Sequence, residues 1–467
     1  MQQRYLNIGW IFCLVLVSYQ AQAFRAFGGE ITYDRVGELT LNVQIQTFQN
    51  PDVASERDSL RLGLDWVENR NWTTARSSTV VAPEHIRIST YEREIGLGGP
   101  SWFRLTLTDP NLAEFDNLPG SVNTVFALQT LALLHPSCRN NSARFLHPAY
   151  AQSRYGSALH YVPGAWDPDA DSLAFSLIAP YGEFGVPLSG YAFPEGLTLD
   201  PATGELHWDF VQEGQWLVVM RVKEYRAGAF VGSVDRAILL RGLDLGADPP
   251  AFFSSGSWGN AEPLLLNPGE LASASVGVLA AQGSELSWTI QGEGGLNADA
   301  DAPVLQVFFS ADTLKVEVLW APEATRARRR PYLFTLRIRQ EDSDGAFQSQ
   351  DIALRIAVPG PDVEGCFPPP YLWLGEEDLG DPDLTVHAGG DQGPAVFPVP
   401  ATDRIHLQWK QPGPYRVMLV NAAGQLLMQE TVQGAVGVLE RNRLPAGAYW
   451  VLWQSSTQAG SKPVVFR

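Results

Sequence analysis

The sequence predicts an all-β protein built of stacked β-sandwiches, and three observations carry that prediction. Apolar residues recur with a period of two almost everywhere, as half-buried strands require. The alternating runs are short and bounded by Gly, Pro, Asp or Asn. The composition joins 43 Gly and 33 Pro to 14 Trp, 14 Tyr and 22 Phe, a mixture of turn formers and strand formers. At 467 residues the chain has room for about three domains of roughly 150 residues.

Residues 1–23 read as an export signal. Arg4 supplies the positive start, Ile8 to Val17 the apolar stretch, and Ala21-Gln22-Ala23 the small-x-small cleavage site. That stretch falls short of the ~20 residues needed to span a bilayer, so the mature chain is expected to begin at Phe24.

Residues 24–155 form the first expected sandwich, with "GELTLNVQIQTF" and "SWFRLTLTD" as its clearest strands. Here Asn123 to Leu134 is the best candidate for a helix. A seam near Tyr155 opens the second sandwich, 156–246, which holds "SLAFSLI", "GELHWDF", "QWLVVMRVKEY" and "AILLRGL". "DLGADPP" closes it. The third, 247–358, contains "TLKVEVLW", "YLFTLRIRQ" and "DIALRIAV". Residues 359–392 carry eight acids, no Lys or Arg and the run Pro368-Pro369-Pro370. Self-repulsion and proline stiffness predict an extended linker there. The tail, 393–467, has seven Lys or Arg against three acids, the opposite balance to the whole chain at -18. That contrast predicts a separate job for the tail. An acidic surface repels phosphate backbones, so no nucleic-acid partner is expected.

The tail reads "VFPVPATDRIHLQW", "YRVMLVNAAGQLLMQE", "LERNRLPAGAYWVLW" and "KPVVFR". It resembles the C-terminal sorting domain of the type IX secretion system of Bacteroidetes. Pro398, Pro400 and Asp403 match that family's opening. Asn421 and Gly424 match its middle turn. Leu444, Gly447 and Tyr449 match its Leu-x-x-Gly-x-Tyr element. Val399 departs from the usual Asn. By their own chemistry these residues spell a small sandwich of about seven strands, with turns at Asn421 to Gly424 and at Pro445 to Gly447. The resemblance implies a type IX secretion translocon as partner. It also implies passage through the periplasm to the extracellular face of the outer membrane.

Residues 24 to 242 are similar to the opening of large secreted Bacteroidetes proteins linked with gliding and adhesion, with an immunoglobulin-like or cadherin-like module beginning at "AWDPDADSLAFSLIAP". Ala237 departs from that family, which has Asp there. "VLWAPEATRARRRPYLFTLRIRQEDSDG" looks like a further, more diverged module.

Candidate chemistry centres on "DPDADSL". Asp167, Asp169 and Asp171 alternate just before a strand, and hard oxygen donors at this spacing suit Ca²⁺. It is no EF-hand, because Ser172 and Ile178 stand where Gly and Glu are needed. A cadherin-like use would recruit Glu224; the bland reading is an acidic turn. "EDSDG" (Glu341, Asp342, Asp344) and "NADAD" (Asp299, Asp301) are weaker copies. The arginines of "RARRRP" read as a solvated hairpin loop. Trp72 is the better exposed candidate among the tryptophans that could stack on sugars, most of which sit in alternating strands where core packing is the default. His135 and Cys138 are too isolated for a nucleophilic pair. Cys138 and Cys366 remain after the signal's Cys13, and whether they bond stays open.

His-Glu-x-x-His, Gly-x-Ser-x-Gly and P-loop motifs are absent from the sequence. The expected function is therefore non-catalytic: an exported surface protein for adhesion or extracellular interaction with an unknown surface or glycan ligand. The alternatives are a carbohydrate-binding protein and a secreted degradative enzyme with an unrecognised site.

Overall fold

The structure is a computed structural model. It describes residues 26–360 and 394–466, apart from 53–56, 66–69, 110–111, 137, 183–185, 227–228, 256, 296–301, 311–312, 329, 398–400, 422–425, 442–443, 446 and 455–458. The export signal, the acidic linker from residue 361 on and "NADAD" (297–301) therefore lie outside the described residues, as do Pro398, Pro400 and Gly424. Strands dominate throughout, and the described residues include no α-helix. Among the described residues no helix is long and apolar enough to cross a membrane, which says nothing of β-barrels.

The alternating runs of the sequence are strands with alternating burial. In Thr40–Gln49 the residues Leu41, Val43 and Ile45 are fully buried while their neighbours are partly open. Burying each such side chain contributes roughly 1.5–3 kcal/mol.

Asn123 to Leu134 is not helical. Ser121–Asn123 is a short 3-10 turn, and Phe126–Leu134 is a strand buried at eight of its nine positions. It lies inside a large sheet between Ser101–Asp109 and Ala229–Leu243. A strand covered on both faces loses its polar alternation, and the resulting apolar run imitates a buried helix.

That sheet has eleven strands and rolls up on itself. Ala229–Leu243 is its spine. Along one edge it pairs in turn with Phe126–Leu134, with Ala26–Gly37 and, in parallel, with Tyr150–Arg154. Along the other edge it pairs with Gly214–Arg226 from end to end. Thr130 Oγ1 donates to the Ile31 carbonyl at 2.7 Å and bridges the two strands that meet on the spine. Gly28 lies so close to the spine that a Cβ there would sit 2.3 Å from the Ala237 carbonyl oxygen. A single core runs from Phe27 to Leu240. Sheet and core both run through the seam expected near Tyr155, because Tyr150–Arg154 and the spine join in parallel. No local turn signal announces such a pairing.

The next unit packs two four-stranded sheets face to face. One contains Ala272–Leu279 and Thr313–Trp320, the other Tyr332–Glu341 and Phe347–Ala357. Val276, Val278, Val316, Val318, Phe334 and Leu336 fill the space between them. The described residues of the tail form one sheet of five strands. Two are long, Arg404–Asn421 and Leu426–Glu440, and their pairing breaks register between Gln408 and Gly413. The sheet covers a core that includes Ile405, Trp409, Val417, Leu439, Tyr449 and Phe466. Long strands thus replace the seven short ones that the turn spacing suggests.

Candidate metal centre and sorting tail

The "DPDADSL" turn is built by its own first residue. Asp167 Oδ1 accepts from the backbone N–H of Asp169 at 2.8 Å and of Asp171 at 3.0 Å. The turn forces Ala170 to φ 60°, a left-handed conformation that costs an L-residue roughly 1–2 kcal/mol. Carboxylate oxygens of Asp167, Asp169 and Asp171 come within 4.8 Å of one another.

Around this trio lies a strap from the first half of the chain. Asn141 donates to Asp169 from its backbone at 2.6 Å and from Nδ2 at 2.9 Å. Glu224, fully buried, is not one of the trio. Its oxygens accept from the Ala143 N–H at 2.7 Å and from Asn140 Nδ2 at 3.0 Å. Asn140 Nδ2 also donates to the Tyr33 hydroxyl at 3.0 Å. Arg35 fixes the start of the strap by donating to the carbonyls of His135 and Cys138. Cys138 is disulfide-bonded; Cys13 and Cys366 both lie outside the described residues.

The sequence reading missed Arg226. Its guanidinium meets Asp171 through Nε and Nη2, both at 2.6 Å, and lies 3.5 Å from Asp169. It stands two residues after Glu224 on one strand, so the pleat puts both side chains on the same face.

Electrostatics make the site unusual. Burial, with Asp171 as the next cause, pushes the Asp167 carboxyl up to about 7. Burial and then Asp167 drive Glu224 well above the ordinary carboxylate range. Asp171 is raised by burial against the pull of Arg226. Asp167 Oδ2 is buried without a hydrogen-bond partner.

Arg330 corrects the solvated-loop reading of "RARRRP". Its Nη1 is buried, Nη2 donates to the Ala165 carbonyl at 3.0 Å, and Asp167 and Asp171 face it electrostatically. Arg328 pairs with buried Glu293 and stacks 3.6 Å over the Tyr332 ring. Packing against the neighbouring module draws the Arg330 guanidinium inward, and Glu293 and Tyr332 of its own module hold that of Arg328. Arg329 lies outside the described residues.

Other expected positions are structural. Asp342 accepts from the N–H groups of Asp344 and Ala346, so "EDSDG" is a hairpin turn. Trp72 is half-buried, with Arg70 4.9 Å over its ring. Trp288 is the more open tryptophan, 37% exposed and stacked on the exposed Phe309. That exposure corrects its assignment to the core: it sits on Glu285–Gly292, the last strand of its sheet.

In the tail, the motif positions converge. Asn421 and Tyr449 are register partners on adjacent strands, and Gly447 pairs with Phe466. Tyr449 packs edge-on to Phe466 at 5.6 Å and donates its hydroxyl to the Pro445 carbonyl at 2.7 Å. Arg441 joins the two ends of the motif: its N–H donates to the Asp403 carbonyl at 2.7 Å and its Nε to the Leu444 carbonyl at 2.9 Å.

Residues 395–467 match the family model described as a secretion system C-terminal sorting domain. The tail carries a sorting domain. It directs the chain to the cell surface or extracellular space through the type IX secretion machinery, its implied partner. No curated protein sequence matches the chain significantly. Solved structures similar to it include a fragment of titin (13% identity, 70% of this chain and 95% of that one, TM-score 0.17). An ectodomain fragment of ICAM-5 aligns at 10% identity over 95% of each chain, TM-score 0.15. The sialic-acid-binding region of a Streptococcus sanguinis adhesin aligns at 10% identity over 62% of this chain and 96% of that one, TM-score 0.16. At these scores the alignments carry no argument, and the all-β architecture rests on the strand pairing described above.

Proposed function

We propose that this chain is a non-catalytic surface protein that makes adhesive or other extracellular contacts through its sandwich body, with calcium bracing the junction at Asp167. The observation that carries the calcium reading is the buried, unpartnered Asp167 Oδ2. Four carboxyl groups (Asp167, Asp169, Asp171 and Glu224) meet two guanidiniums, Arg226 and Arg330. The remaining two negative charges call for two protons or one divalent cation. Asp167 and Asp169 have the hard oxygens that Ca²⁺ prefers, and backbone carbonyls and water commonly complete such shells. A cation here would tie the 138–143 strap to the turn and to the Gly214–Arg226 strand.

Calorimetry of the full chain against CaCl₂, with thermal melting, tests this. Binding that raises the melting temperature and is lost in Asp167→Asn supports it. No heat and no shift at millimolar calcium would reduce the site to a proton-sharing acidic cluster. Adhesion is tested on cells: binding to surfaces should weaken in chelator and return with calcium. Deleting 393–467 should leave the protein in the periplasm, and unchanged surface display would refute delivery by the tail.

A second reading, glycan binding, draws on Trp288 and Phe309, exposed neighbours on the edge strands of two facing sheets. Trp288→Ala should then abolish binding on a glycan array.

A further inference from the structure

His160 and His207 are register partners on the antiparallel strands Leu159–Tyr161 and Leu206–Trp208. Their rings stack with centroids 4.1 Å apart. Glu205 stands two residues before His207, so the pleat sends it to the same face. Its Oε2 lies 3.1 Å from His160 Nε2 and 4.0 Å from His207 Nε2. One nitrogen from each ring and this oxygen fall within 4.8 Å of one another. Tetrahedral Zn²⁺ with bonds of about 2.0–2.2 Å sets its ligands roughly 3.4 Å apart, so small side-chain shifts suffice to admit the ion.

We propose that His160, Glu205 and His207 form a site for a divalent transition ion of the zinc type, separate from the aspartate cluster. Two imidazoles and one carboxylate suit Zn²⁺, whereas Ca²⁺ prefers an all-oxygen shell. The surroundings resemble a second ligand shell. Arg355 Nη2 holds Glu205 Oε1 at 2.5 Å and leaves Oε2 to face the histidines. The His160 backbone N–H donates to Gln350 Oε1 at 2.8 Å, which fixes the strand that carries the first imidazole. The His207 side chain is 49% exposed, giving an ion a way in and a free coordination position. Arg355 and Gln350 come from Phe347–Ala357, so the site lies where the rolled-sheet body meets the following sandwich.

The test uses the full chain without an affinity tag, stripped with chelator and titrated with ZnCl₂. Co²⁺ serves as the optical probe of tetrahedral geometry. One equivalent should bind, with the intense visible bands of four-coordinate cobalt. His207→Ala, at a half-exposed position, should keep the fold and lose the site, and Glu205→Gln should lose it too. Arg355→Gln should weaken zinc by about 10–100-fold, as expected for an outer-shell partner. Asp169→Asn should bind zinc as before. Zinc binding unchanged in His207→Ala, or none in the parent chain, would overturn the proposal and leave a His160–Glu205 ion pair.

Discussion

Arg226 closes on Asp171 through two hydrogen bonds of 2.6 Å, Nε to Oδ1 and Nη2 to Oδ2. The same guanidinium donates to the Arg139 carbonyl and to Asn140 Oδ1, so one side chain knits the turn, its strand and the strap. Removing one partner of a buried pair leaves the other charge uncompensated. Arg226→Gln should therefore destabilise the chain by about 3–5 kcal/mol in chelator. Urea unfolding measures it, and the stabilisation by calcium should be larger in the variant than in the parent.

Stability should depend on pH in a direction opposite to common acid denaturation. The Asp167 carboxyl sits at about 7 in the folded chain against an ordinary value of 3.8. Between these values the folded state binds more protons than the unfolded state, so stability falls as pH rises. The contribution is full below about pH 4 and lost on passing pH 7. Glu224, also raised, acts with the same sign. Melting in chelator should show this loss, Asp167→Asn should flatten it, and calcium should offset it at neutral pH.

Ala170 holds φ at 60°, where glycine carries no penalty. Ala170→Gly should raise stability by up to about 1 kcal/mol, the relieved strain being partly offset by the entropy of an unfolded glycine. Denaturant melts of the two chains decide it.

Arg337 and Asp351 repeat an arrangement seen earlier in the chain. Arg337 Nε meets Asp351 Oδ1 at 2.8 Å, as Arg221 Nε meets Asp235 Oδ1 at 2.7 Å, and both pairs are 14 residues apart on adjacent strands. Both are buried. Asp351 Oδ2 further accepts from the Val162 N–H at 3.0 Å, which ties the sandwich to the rolled-sheet body. Burial acts to raise the Asp351 carboxyl, but Arg337 outweighs it and holds the group below the ordinary range. Arg337→Ala should cost about 3–5 kcal/mol and loosen the junction, seen as faster amide exchange at Val162.

Gly28→Val should disturb the closure of the rolled sheet, since a Cβ would meet the Ala237 carbonyl oxygen at 2.3 Å. Overpacking of this kind costs about 1–3 kcal/mol, and the loss should appear in the melting temperature.

Most of the strands follow from local sequence, since a two-residue apolar period satisfies burial as a half-covered sheet. Local sequence also determined the turn at Asp167, the acidic trio and the sorting tail, all of which are spelled by residues close together in the chain. Tertiary structure decided the rest. Phe126–Leu134 became a strand because both its faces are covered, a fact that lies in its neighbours. The spine joins strands from residues 26 to 243, and such partners are chosen by long-range pairing that leaves no local mark. Arg226 and Arg330 reach the aspartates from positions 55 or more residues away in sequence, where charge alone reads as solvated surface. His160 and His207 meet only through strand register, which fixes which side chains share a face, and no spacing along the chain contains that information.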